Sequence, residues 1–156
     1  SMEKINYMPT AIGTWGNMSS VLVNTAGKKL AEHLIFATST AEDSNARAAA
    51  LATRVRERYP TMVTFVSAAQ SYDSVMLVAA AIKQAGTTDG AKVAAVLESG
   101  MPDVQGIIKN YKKPFSKTDH EGLGVEDFQL GKWKDGKVTN YSDAITKSIT
   151  SADLKR

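Results

Sequence analysis

Asp119, His120 and Glu121 stand side by side in this chain, two carboxylates around an imidazole. A metal or a proton transfer needs such groups to converge on one point. Adjacent residues of an extended loop point in different directions, and no partner cluster is placed to complete the set. His33, beside the apolar run LIFAT, has no second histidine or carboxylate to work with and reads as a satisfied or solvated histidine. No nucleophile–base pair, phosphate loop or metal spacing emerges elsewhere, so no catalytic residue, metal ligand or cofactor is assigned. Two basic stretches raise the question of nucleic acid. In RVRERY, Glu57 interrupts the run, and Arg47, Arg54 and Arg58 read as a solvated face. From Lys109 to Lys137, seven lysines face five acids, too even a balance for a strand-binding groove despite Tyr111 and Phe115.

Two features point to binding instead. The stretch Ser67 to Gly86, SAAQSYDSVMLVAAAIKQAG, predicts a helix apolar on every side from Val75 to Ile82, and such a helix is buried. Its start is small and polar: Ser67 as cap, then Ala68, Ala69, Gln70 and Ser71, with Tyr72 in the first turn. A helix N-terminus gathers unpaired N–H groups and partial positive charge, which suits a carboxylate, although an ordinary serine cap fits the same residues. The second feature is Trp15, an aromatic between Gly13 and Gly16 at the tip of a turn, which fits a packed turn as well as a ligand contact.

The elements that would position these residues alternate between strand and helix. Tyr7 to Gly16 reads as a short strand and turn, and Ser19 to Leu30 as a helix capped by Asn17 or Ser19. His33 to Thr38 reads as a strand, and Ser44 to Tyr59 as a helix ended by Pro60. Thr61 to Val66 is an extended lead into the apolar helix, and Asp89 caps a further helix over Ala91 to Glu98. Val104 to Tyr111 reads as one strand with Gly106 as a bulge or close approach. Asp127 to Tyr141 reads as a hairpin around Asp135-Gly136, with Phe128, Leu130 and Trp133 turned toward a core and Gly131 allowing a bulge. The tail from Ser142 to Arg156 reads as a weak helix or frayed end.

Composition fits a globular protein of 156 residues, long enough for a real core. A formal charge of +3 demands neither nucleic acid nor an anionic membrane, and the absence of cysteine removes disulfides and thiolate chemistry. No unbroken apolar run has membrane-spanning length, and no signal peptide is visible.

The blocks IGTWGNMSS, AAQSYDSVMLVAAAIKQAGTTDGAKVAAVLES, KKPFSKTDHEGLG and FQLGKWKDGKV occur in this order. Together they resemble the C-terminal half of the periplasmic binding proteins of branched-chain amino acid ABC transporters, the leucine/isoleucine/valine-binding-protein-like receptors. The resemblance runs from about Pro9 to Val138. It implies an α/β chain, the C-terminal half of a type I periplasmic-binding-protein fold, with parts of two three-layer lobes. Residues 3–36 would end a lobe-two segment, 37–110 would be a lobe-one segment of three helices, and 111–156 would cross and return to lobe two with the hairpin. The parent would be an exported, periplasmic solute-binding receptor of an ABC importer, its signal peptide outside this fragment, working with a transporter permease. Two lobes would close on a small carboxylate, aromatic or branched-chain, with Trp15, Gly16, Ser67, Ala68, Gln70 and Tyr72 as ligand contacts. Amino-acid-binding relatives can place a carboxylate in the IGTWGNMSS turn for the ligand's ammonium. Trp15 takes that place here, which favours a flatter, more apolar ligand. The fragment would self-associate or pair with the missing N-terminal half. Rival readings are a ligand-sensing regulatory domain of similar fold and an enzyme centred on the TDHEG loop.

Overall fold

The computed structural model describes residues 3–148. Its strands are β1 (Ala11–Gly13), β2 (Leu34–Thr38), β3 (Val104–Gln105), β4 (Asn110–Tyr111), β5 (Gln129–Lys134) and β6 (Lys137–Tyr141). Its helices are α1 (Ser20–Ala26), α2 (Lys28–Ala31), α3 (Ala46–Arg58), α4 (Phe65–Ala85), α5 (Gly90–Ser99) and α6 (Ala144–Ser148). They divide into two compact units, Ser1–Ser67 with Phe128–Arg156, and Ala68–Asp127. The tail expected to be helical continues past α6 outside the described residues.

The first unit holds a four-stranded sheet in the order β1-β2-β5-β6. β1 and β2 run parallel, and the other pairs are antiparallel. The hairpin turn forms because Asp135 (φ 52°) and Gly136 (φ 80°) both take the left-handed backbone that a two-residue hairpin requires. The inward face of β5 differs from the expectation. Gly131 and Trp133 are buried, whereas Phe128 and Leu130 are only partly so. The register runs unbroken through Gly131, which pairs with Phe36 and Asn140, so there is no bulge. Glycine stands there for room: a methyl group would come within 2.7 Å of the Phe36 ring. Phe36 and Trp133 meet edge-on at 6.5 Å in a core with Met18, Ala31, Ala41, Val66 and Val138. The helix expected over 19–30 is broken into α1 and α2 at Gly27 (φ 84°). Asn45 caps α3 by accepting from Ala48 N–H at 2.9 Å.

Most of α4 and all of α5 belong to the second unit. Asp89 caps α5 through Lys92 N–H at 3.0 Å. α4 begins at Phe65, upstream of the predicted cap, because Phe65 and Val66 are each 4% exposed and burial draws them into the helix. All-round burial does not hold. Ala69, Asp73, Leu77 and Ala81 lie inward, while Val75, Met76 and Val78 are 66%, 39% and 45% exposed. Among the described residues α4 is the one helix long and apolar enough to cross a membrane. A buried, hydrogen-bonded carboxylate near its middle marks it as a core helix.

That carboxylate also explains why 104–111 is a tight hairpin and not one strand. Asp73 accepts hydrogen bonds from Ile107 N–H (2.5 Å), Ile108 N–H (3.0 Å) and the Tyr111 hydroxyl (3.0 Å). The chain folds back around it, pairing Val104 with Tyr111 and Gln105 with Asn110. Gly106 is the close approach the sequence suggested, since a methyl group there would lie 2.6 Å from both the Asp73 carboxylate and the Tyr111 ring. Leu77, Met101, Val104 and Tyr111 form the core of this unit.

Candidate ligand-binding site

Trp15 opens a 3-10 turn, Trp15–Met18, directly after β1. The turn is tied at several points. Thr14 N–H donates to Asn17 Oδ1 at 3.0 Å, and Asn17 N–H donates back to Thr14 O at 2.9 Å. Gly13 makes this possible, because a Cβ would fall 2.2 Å from Asn17 Oδ1. The Asn17 carbonyl accepts from Trp133 Nε1 at 2.9 Å, which fastens the turn to β5. The side chain at the tip is left half open: Trp15 is 49% exposed, and its ring lies 5.8 Å from that of Phe128. Gly16 has only Thr14 Oγ1, at 3.8 Å, near the place of a side chain.

Ser67, Ala68, Gln70 and Tyr72 share the first two turns of α4. The earlier start changes what they offer. Only the first four N–H groups of a helix lack an intrahelical acceptor, and here they run from Thr64 to Ser67. Ser67 is therefore the third helical residue and not the cap, with its side chain exposed. The N–H groups of Ala68 and Gln70 fall within the helical ladder. Thr64, in the capping position, does not cap: its hydroxyl is buried without a hydrogen-bond partner. The donors of Phe65, Val66 and Ser67 are thus not met by the residue before them. Ala68, Gln70 and Tyr72 are each half-buried. Ser20 N–H donates to Val63 O at 2.7 Å, so the segment after the Trp15 turn is bonded to the segment that leads into α4. Trp15, Gly16 and Ser67 fall in the first unit, and Ala68, Gln70 and Tyr72 in the second.

The TDHEG loop is tied down locally. Glu121 N–H donates to Asp119 Oδ1 at 2.9 Å, while His120 Nε2 reaches Glu98 on α5 at 3.1 Å. Among the described residues no three His, Cys, Asp or Glu side chains are grouped to hold a metal.

Two residues of evident structural weight were not among the predicted contacts. Phe128 read as a core residue of the hairpin, and its pairing with Trp15 spans a separation that periodicity does not reach. Asp73 carried a visible signal, a lone carboxylate inside an apolar helix, which implies a buried partner.

Residues 2–137 match the family described as periplasmic binding protein. The fold is similar to a type 1 periplasmic binding protein from Bordetella pertussis Tohama I (TM-score 0.68, 23% identity), over 90% of this chain and 41% of that one. It is similar to the leucine-binding protein LivK from Thermotoga maritima (TM-score 0.66, 20% identity), over 90% of this chain and 38% of that one. An ABC-transporter solute-binding protein from R. palustris in complex with benzoate is similar at a TM-score of 0.53 and 20% identity, over 76% of this chain and 31% of that one. The chain thus spans about two fifths of the length of the first of these. No curated protein matches it in sequence.

Proposed function

The chain belongs to the periplasmic-binding-protein family and has part of the type I fold, and from that premise we propose that it is a portion of an ABC-importer receptor for a small aromatic carboxylate. The observation that carries the ligand class is Trp15, a half-exposed indole at the tip of a turn whose backbone is fixed from three sides. A flat apolar ring is recognised by such a surface, and an ammonium group is not given a carboxylate there. The ligand's own carboxylate is assigned to the first turn of α4, where Ser67 N–H and the helix dipole favour negative charge. Gly16, Ala68, Gln70 and Tyr72 are the further contacts of this reading. The similar structures include both ligand classes, since one is a leucine-binding protein and another holds benzoate. The exposed tryptophan favours the benzoate class.

In the whole receptor the ligand is taken by lobe closure, a two-state change biased by the ligand. On this reading the protein works in the periplasm, delivers to a membrane permease, and binds without chemical conversion. Calorimetric titration with sodium benzoate and L-leucine tests the reading. Benzoate is expected to bind with micromolar or weaker affinity and more tightly than leucine, and Trp15→Ala is expected to weaken it by about tenfold or more. Undiminished benzoate binding by Trp15→Ala would remove Trp15 from the site, and turnover lost on His120→Ala would favour an enzyme.

A further inference from the structure

We propose that Phe128 is the positioning residue for Trp15 and thereby sets the preference for planar over branched ligands. The inference rests on the receptor reading above and names the residue that gives its aromatic surface a fixed plane. The bonds of Asn17 hold the backbone of the turn, but they leave the two side-chain torsions of Trp15 free. The ring that faces the indole is that of Phe128, 5.8 Å away and tilted by 30°. This lies within the range of about 4.5–7 Å over which aromatic pairs attract. Phe128 is itself well anchored. It is half-buried and directly precedes β5, whose Gly131 and Trp133 lie in the core. The residue before it, Asp127, accepts from Gly124 N–H at 2.8 Å and pairs with Lys109.

A ring held on one side presents its remaining surface in one orientation. A planar ligand gains from that order, because stacking depends on the angle between planes. A branched aliphatic chain makes non-directional contacts and gains little from it. Phe128 therefore acts on selectivity more than on affinity in general.

The test uses the full chain carrying Phe128→Ala, Phe128→Leu or Phe128→Tyr, titrated with sodium benzoate and with L-leucine. Leucine at 128 keeps an apolar anchor should alanine fail to fold. Acrylamide quenching supplies a readout that needs no ligand, because Trp133 is 4% exposed and shielded, so quenching reports Trp15. The expected result is greater quenching in the alanine and leucine variants, with benzoate weakened about three- to tenfold and leucine changed by less than about twofold. The tyrosine variant should restore both. A benzoate-to-leucine ratio unchanged in the alanine and leucine variants overturns the role of Phe128 alone, provided that the parent binds benzoate through Trp15. Absence of benzoate binding by the parent overturns the receptor reading and this inference with it.

Discussion

Removing the Asp73 carboxylate should unseat the 106–109 turn, because three donors converge on it in a site only 2% exposed. Asp73→Asn keeps the shape but replaces one acceptor oxygen by a donor, leaving a backbone N–H facing an N–H. A cost of about 1–3 kcal/mol follows, and Asp73→Ala should cost about 3 kcal/mol or more. Urea unfolding checks both, and equal stability of the two variants would contradict the buttress. Tyr111 adds a pH dependence. Burial, then the charge and hydrogen bond of Asp73, raise its phenol above the ordinary value of 10.0. The folded state thus holds this proton more tightly than the unfolded chain does. Its contribution is complete below about pH 10 and is lost as pH rises from there through the folded value. Tyr111→Phe should flatten this alkaline decline in a stability–pH profile while lowering stability at pH 7 by about 1 kcal/mol. A decline of the same slope in the variant would exclude Tyr111 as its source.

Among the elements, those with local signals were legible. Asp135-Gly136 and Asp89 each do what their residue types dictate, because a turn or a cap is decided within four residues. Elements decided by distant partners were not. The break at 106–109 depends on a carboxylate more than thirty positions earlier, and the inward face of β5 depends on the fit of Phe36 against Gly131. The start of α4 moved because burial of Phe65 and Val66 outweighed a serine that could have capped. The open side of α4 carries Val75, Met76 and Val78, and an apolar stripe of this kind drives association. The chain on its own is expected to sediment above monomer mass, and the double change Val75→Lys with Val78→Lys to shift it toward monomer. A monomer without these changes would contradict the expectation.

At the scale of the whole molecule, the family and the α/β fold were readable because four blocks keep their order across nearly the entire chain. Of the proposed contacts, the Trp15 turn and the start of α4 were suggested by glycine spacing and small residues, whereas the Phe128 ring that faces Trp15 required a tertiary fold to become visible. On the proposed receptor reading, which places the protein in the periplasm, the buried aspartate in α4 has a consequence beyond packing. A segment of 21 residues as apolar as Phe65–Ala85 is a candidate to slip sideways from a secretion channel into lipid. One carboxylate near the centre of such a segment opposes that step by roughly 2.5–3.5 kcal/mol. On that reading, the side chain that braces a hairpin also counts against its own helix being stranded as an anchor during export.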